Sequence, residues 1–146
     1  MTPPRILVAN RQRTVRLDLP AIRSAIHAAL PDCLASARAG APILHLAEIF
    51  IGIVSDRAIS RVHGEFLNDP TPTDVITFDH GEILIGAAEA ARNAAAFACG
   101  DPSRETALCA IHGLLHLGGW TDKSAADARE MHAVQDRIHA AAWRSS

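Results

Sequence analysis

Glu105-Thr-Ala-Leu-Cys-Ala-Ile-His-Gly-Leu-Leu-His-Leu-Gly-Gly-Trp-Thr-Asp122 is the stretch around which the chain is organised. Apolar Leu108, Ile111, Leu114 and Leu115 recur at three- and four-residue spacing, which predicts a buried helix. Asp101-Pro102-Ser103 supplies a cap and a first-turn proline, and Gly118-Gly119 supplies a stop. On such a helix His112 and His116 project from one face, one turn apart. Two imidazoles so placed can share one transition-metal ion with little conformational entropy left to lose. A glycine turn then allows the chain to double back and deliver Asp122 as a third ligand. An apolar helix has little structural use for two imidazoles, so the segment reads as a metal site formed by His112, His116 and Asp122.

The full string, His-x-x-x-His-x-x-Gly-x-x-Asp, shares the ligand spacing of the metzincin pattern, with aspartate in the last position. Gly113 stands where those enzymes carry their glutamate base, so peptide hydrolysis by that route lacks its proton carrier. Cys109 is seven residues from His116, roughly 10 Å along a helix axis, and reads as core rather than as a ligand.

With 146 residues, 49% apolar and 21% charged, the chain reads as one soluble domain spanning 1–146 with a core of its own. No apolar run approaches the ~20 residues of a membrane helix, and Met-Thr-Pro-Pro-Arg lacks the shape of a signal peptide. Cys33, Cys99 and Cys109 are odd in number and scattered, as suits reduced thiols in a cytoplasm. The net charge of −2 gives no global nucleic-acid signature. Residues 1–40 nevertheless carry six arginines against two aspartates, so a local basic surface there and a merely solvated face are both compatible with the charge pattern.

In chain order, Arg5–Ala9 reads as a strand and Leu19–Ala37 as a helix that Pro31 should end or kink early. Ile43–Val54, β-branched and apolar on both alternating faces, reads as a strand covered from both sides. Ser55 caps the next helix, whose stripe of Ile59, Val62, His63 and Phe66 makes His63 a packed histidine rather than a ligand. Asn68-Asp69-Pro70-Thr71-Pro72 is a loop, followed by a strand Thr73–Phe78, a tight turn Asp79-His80-Gly81 and a returning strand Glu82–Ile85. Ala87–Cys99 is helical and closed by Gly100. Ser124–Trp143 is the last helix, on which His132 and His139 read as surface or partly buried residues. The order implies an α+β single domain: a small mixed sheet of about four strands with helices packed on it, the metal-site helix central. Asp74 and Glu82 are candidate supporting carboxylates, and for Asp74 a turn bond at the strand start is the stronger reading.

Three ordered blocks carry a family resemblance. His112-Gly-Leu-Leu-His116-Leu-Gly-Gly119-Trp-Thr-Asp122 resembles the His-Gly-x-Leu-His-Leu-x-Gly-Tyr-Asp-His signature of the YbeY family of rRNA-maturation endoribonucleases. Phe66-Leu-Asn-Asp-Pro-Thr-Pro-Thr73-Asp74-Val-Ile-Thr-Phe78 resembles that family's Pro-Thr-Asp-Val-Leu-Ser-Phe strand, and Gly81–Ile85 its Gly-Asp-Ile-x-Ile strand. Together the blocks span roughly Ile43–Ile138, nearly the whole chain. The resemblance implies a small α+β domain holding one divalent, zinc-type ion, and a carboxylate at Asp122 makes manganese acceptable as well. The resemblance also implies a cytoplasmic, single-strand-specific endoribonuclease acting on rRNA of the small ribosomal subunit, at the 16S 3′ end and in ribosome quality control. Two other classes stay open, a ribosome-associated metal-binding protein with weak or lost nuclease activity and a metalloprotease-like hydrolase.

The chain departs from that signature at three points. The family's third histidine falls on Asp122, the aspartate before it on Thr121, and the arginine after its aromatic on Leu67. A carboxylate is a legitimate zinc ligand, so the set remains two His and one Asp. The anionic ligand leaves the ion with less net positive charge and makes harder metals more acceptable than three imidazoles would. Three protein ligands leave an open position, the mark of a catalytic rather than a closed structural site.

Overall fold

The computed structural model describes residues 2–69, 71, 73–97 and 100–145. Strands β1 (Arg5–Asn10), β2 (Glu48–Val54), β3 (Val75–Phe78) and β4 (Glu82–Gly86) form one sheet in the order β1-β2-β4-β3. The first three in that order run parallel, and β3 pairs antiparallel with β4 through Val75↔Ile85 and Thr77↔Ile83, so β3 is an edge strand. The helices are α1 (Leu19–Ala35), α2 (Asp56–Leu67), α3 (Ala87–Phe97), α4 (Pro102–Leu117) and α5 (Ala125–Ser145).

Strand alternation divides the core in two. Ile49, Ile51, Ile83 and Ile85 turn to the face covered by α1, α4 and α5, where they join Ile22, Ile26, Ile111, Leu114, Leu115 and Met131. The opposite face carries Val54, Ile76 and Leu84 under Ile59 and Val62 of α2. The sheet is therefore covered from both sides, as the β-branched run of β2 requires. Helix α4 lies at the centre, packed on α1, α3 and α5 and resting on β3 and β4.

Three expectations from sequence are revised. The stretch expected to form one strand from Ile43 begins instead as a short 3-10 turn, Pro42–Leu44, and the strand starts only at Glu48. Pro42 opens that turn, and Ile43 is buried through it rather than through a ladder. Pro31 neither ends nor shortens α1, which runs on to Ala35 because Leu30 and Cys33 continue the buried face of Ile22 and Ile26. That burial outweighs the roughly 3 kcal/mol cost of an interior proline. The strand expected over Thr73–Phe78 begins at Val75, two residues later.

Several terminations follow the expected chemistry. The Ala21 amide donates to the Asp18 side chain at 3.1 Å, and the Ala58 amide to Ser55 at 3.2 Å. Of the thiols, Cys33 and Cys109 are buried and free, and Cys99 lies outside the described residues, as do Pro70 and Pro72. Burial, with Asp32 adding to it, pushes the Cys33 thiol up to about 12, and burial likewise raises Cys109, so both are inert core residues. No described helix is long and apolar enough to cross a membrane.

Candidate metal centre

Helix α4 owes its position to strong ends and an apolar surround. The Asp101 carboxylate accepts from the amides of Ser103 at 3.0 Å and Arg104 at 3.3 Å, with Pro102 in the first turn. Eleven of its sixteen residues are buried, which is why it sits in the middle of the molecule rather than on its surface. His112 and His116 point out of the end that remains open, their side chains 16% and 28% exposed.

Gly118 caps the helix and Gly119, at φ +88°, takes the left-handed conformation that reverses the chain. The turn is then clamped to the end of α1. The Arg38 amide donates to the Gly118 carbonyl at 2.9 Å, the Trp120 indole N–H donates to the Ser36 carbonyl at 3.1 Å, and the Arg38 guanidinium lies 4.3 Å over the indole. This clamp brings Asp122 back over the histidines. Its Oδ2 lies 3.6 Å from His112 Nε2 and 3.7 Å from His116 Nε2, while the two Nε2 atoms are 2.9 Å apart. Among the described residues this is the one group of three His, Cys, Asp or Glu side chains whose ligand atoms all lie within 4.8 Å of one another.

The donor set fits a tetrahedral ion. Bonds of about 2.0–2.1 Å place two ligand atoms roughly 3.4 Å apart, and the three separations bracket that value. The tautomers fit as well. His112 Nδ1–H donates to Gln135 Oε1 at 2.5 Å, and His116 Nδ1–H donates to the Trp120 carbonyl at 3.0 Å. With both Nδ1 atoms protonated, both Nε2 atoms present lone pairs to the same point, an arrangement that repels itself unless a cation lies between them. Burial, the largest influence, pulls the His112 imidazole below its ordinary range, and His116 adds to this against the opposing Gln135 bond and Asp122 carboxylate. The neutral imidazole so favoured is the form that binds a metal.

The triad lies in a groove of about 780 Å³ that runs along the free side of β3 and is walled opposite by Trp120, Thr121 and Lys123. At the start of β3 the Asp74 backbone carbonyl accepts from the Gly86 amide at 2.8 Å, a ladder bond that does not involve the side-chain turn bond expected there. The Asp74 carboxylate, 3.4 Å from Asn93 Nδ2, lines the groove beside His112. Glu82 does not support the site. Ile83 next to it faces α4, so alternation turns Glu82 to the other face, where it meets His80 at 3.3 Å. His63 is a packed residue whose Nδ1–H donates to the Thr71 carbonyl at 2.9 Å. His139 is buried, its Nε2–H donating to the Arg104 carbonyl at 3.0 Å, whereas His132 is exposed.

Gly113 has a structural reason of its own. A Cβ there would stand 2.8 and 2.9 Å from Ile83 Cγ2 and Cδ1 and 3.1 Å from Thr77 Oγ1. Position 113 faces the sheet, so a glutamate has no room there and no path to the open face of the site. We expect Gly113→Ala to cost roughly 1–3 kcal/mol of stability, because the helix must lift off β4. Denaturant titration of the two proteins checks this; equal midpoints and slopes would contradict the packing described.

Gln135, the Trp120 carbonyl and Glu105 lay outside the set of residues singled out from sequence. Gln135 sits 23 residues from His112 on a different helix, and nothing in its neighbourhood marks it as an acceptor for a candidate ligand histidine.

Comparison with known proteins gives a consistent picture. The family model of endoribonuclease YbeY matches residues 7–142. Curated relatives named endoribonuclease YbeY include those of Gluconobacter oxydans, 30% identical over 84% of this chain and 74% of theirs, and Geobacter metallireducens, 30% identical over 93% and 94%. The relative from Chlamydia trachomatis is 26% identical over 91% of this chain and 84% of its own. Among solved structures, the solution structure of TM1509 from Thermotoga maritima superposes with a TM-score of 0.63, covering 94% of this chain and 89% of its own. At 21% identity that likeness bears on the fold alone.

Proposed function

This chain belongs to the YbeY family of endoribonucleases, and from that premise we propose that it is itself a metal-dependent endoribonuclease, cutting single-stranded RNA. The substrate in the cell is rRNA of the small subunit, at the 16S 3′ end and in ribosome quality control, and the site of action is the cytoplasm. Residues 1–146 act as one domain. The observation that carries this reading is the convergence of His112, His116 and Asp122 at the open end of a long groove, with a packed glycine where a peptidase needs its base.

His112, His116 and Asp122 hold one divalent ion, zinc first and manganese second. A divalent ion so held supplies Lewis acidity, lowering the pKa of water from ~16 toward ~7 and polarising a phosphoryl oxygen. The protein's own part is positional. Gln135 and the Trp120 carbonyl keep both imidazoles in the ligand tautomer, and the clamp of Trp120 on Ser36 and Arg38 keeps Asp122 over them. Lys123, the cationic side chain among those lining the groove, is the one placed to face a phosphate in this chain, where Leu67 stands at the family's arginine position. Phe66 and Phe78 meet edge to face at 5.6 Å and the Phe78 ring stacks with His80 at 5.4 Å, on the α2 side of the sheet to which Glu82 also turns.

The test is an incubation of metal-loaded protein with single-stranded RNA and, separately, with unfolded casein. RNA fragments that a chelator abolishes, and intact casein, are expected. Casein hydrolysis lost in His116→Ala, or RNA intact after long incubation, would count against the reading. Leu67, 54% exposed where the family carries arginine, favours a second reading as a ribosome-associated metal protein with weak nuclease activity. Leu67→Arg separates the two: on an active nuclease it should add one phosphate contact, steepening the salt dependence of RNA binding by about 0.7 in log–log slope. An unchanged slope would place position 67 off the RNA path.

A further inference from the structure

The basic N-terminal segment takes no part in the metal centre. Over residues 1–31, Arg5, Arg11, Arg13, Arg16 and Arg23 stand against a single acidic residue, Asp18. The Asp18 carboxylate is engaged at the start of α1, where it accepts from the Ala21 amide. Arg5 pairs with Glu48 at 2.6 Å, whereas Arg11, Arg13, Arg16 and Arg23 make no ion pair with any described residue. The turn that carries three of them is held in one shape. Gln12 is buried between the exposed Arg11 and Arg13. Its Nε2 donates to Asn10 Oδ1 at 3.0 Å and to the Val15 carbonyl at 2.9 Å, and its Oε1 accepts from the Val15 amide at 2.8 Å. Both amide hydrogens and the carbonyl oxygen are thus spent on fixing the turn. The Arg11 guanidinium lies 4.8 Å over the Phe50 ring. Arginines on a fixed turn bind with less of the ordering cost that a mobile loop incurs.

Edge protection accounts for part of this arrangement and not for the rest. β1 is an outer strand of the sheet, and the amides of Arg5 and Arg11 bond toward β2, so the backbone groups of Ile6, Val8 and Asn10 point to the free edge. Arg23 Nη2 donates to the Val8 carbonyl at 3.0 Å and blocks the middle of that edge. An added strand is thereby kept out, and so is a second copy of this chain, whose own arginines would meet these. Arg13 and Arg16 lie beyond the end of β1, where there is no ladder to protect. On the α2 side, Arg11 and Arg61 share a cavity of about 340 Å³ with Glu65 and Glu82, so the excess charge lies on the turn and the β1 edge rather than there. A protein partner needs an apolar centre to its interface. Among the described residues of β1 and the turn, Leu7 is the one large apolar side chain left exposed. A phosphodiester chain needs no such centre, because charge alone supplies its sequence-independent binding and the guanidinium fork matches phosphate oxygens.

We propose that the turn from Arg11 to Arg16 and the adjoining edge of β1 form a second RNA-contacting surface, on which Arg11, Arg13, Arg16 and Arg23 hold the phosphodiester backbone of a single strand away from the cut. The proposal rests on the nuclease reading above for the identity of the polyanion. β1 and β3 are opposite edges of the sheet, roughly 14 Å apart at three strand spacings, and the metal groove follows β3. The surface therefore grips the strand some nucleotides from the bond held at His112, His116 and Asp122, and it adds affinity without base preference.

The experiment follows binding of a fluorescent single-stranded oligodeoxynucleotide to the zinc-loaded full-length protein by anisotropy over a salt series. The deoxy strand carries the same phosphates and is left whole by an endoribonuclease. Arg13→Ser/Arg16→Ser removes two side chains that make no hydrogen bond or ion pair with a described residue. It should flatten the log–log salt slope by about 1.4, two contacts at roughly 0.7 each, with metal content unchanged. Arg104→Ser/Arg137→Ser, which removes the same charge from exposed positions of α4 and α5, should leave the slope as it is in the natural chain. Equal slopes in the natural chain and Arg13→Ser/Arg16→Ser, or equal flattening in both double variants, overturn the surface. Polyglutamate of matched length that displaces the oligonucleotide at equal concentration assigns the arginines to an acidic protein and overturns it as well. Cleavage of single-stranded RNA by the natural chain is scored separately. RNA cut while the slope stays unchanged in Arg13→Ser/Arg16→Ser overturns the surface and leaves the nuclease reading standing. RNA left whole, with the slope flattened, supports the surface as a nucleic-acid site and overturns the nuclease reading instead.

Discussion

His116→Ala is expected to release most of the bound metal and to lower RNA cleavage by more than two orders of magnitude. Loss of a hydrogen-bond partner behind a metal ligand typically costs 10–100-fold in affinity, and loss of the ligand itself must exceed that. Here the loss is compounded. His116 is held by its Nδ1–H bond to the Trp120 carbonyl, and its Nε2 lies 2.9 Å from that of His112 and 3.7 Å from Asp122. Removing it leaves two of the three candidate ligands, too few to fix a coordination geometry. The fold should survive, because His116 is partly exposed at the end of α4 while Leu114, Leu115 and Leu117 anchor that turn. Metal content by elemental analysis and cleavage of a fluorescent single-stranded RNA are the measurements. Full metal content in His116→Ala would remove the triad from consideration.

Asp122 supports the second large effect. Asp122→Ala should weaken metal binding strongly, whereas Asp122→His should retain it, because an imidazole can occupy the same place over the Gly118-Gly119 turn. The exchange makes all three ligands neutral and leaves more positive charge on the ion. The alkaline-rising limb of the pH–rate profile is therefore expected at lower pH than in the natural chain. Affinity should move toward zinc and away from manganese, since imidazole is the softer ligand. The longer imidazole reaches about an ångström further than the carboxylate, so the clamp of Trp120 on Ser36 must yield slightly. Equal metal content and superimposable pH profiles in all three proteins would show that Asp122 is not a ligand.

Much of this was legible from local sequence because the relevant geometry is local. The four-residue spacing of His112 and His116 places both rings on one helix face by the period of the helix alone. Asp101-Pro102 before α4 and Gly118-Gly119 after it bound the helix through their own backbone chemistry. The edge hairpin of β3 and β4 was likewise readable from alternation around Asp79-His80-Gly81. Where local pattern is ambiguous, the reading failed. The residues from Ile43 to Ala47 have the composition of a buried strand, and a buried turn has that composition too. Which of the two forms is settled by Pro42 and by what covers Ile43.

The chain's own order of residues determined the shared helix face of His112 and His116, the helix that carries them, and the class of fold. The three-dimensional packing decided the rest, because a side chain's partners depend on which faces of distant elements meet. Glu82 and Glu105 are both acidic residues in apolar surroundings, yet strand alternation turns the first away and helix packing buries the second beside His112. Gly113 reads in sequence as a missing base, and only the approach of α4 to Ile83 shows that the position has no space for one. Gln135 reaches His112 across 23 residues, and Trp120 reaches Ser36 across 84, contacts that exist only once α1, α4 and α5 have packed.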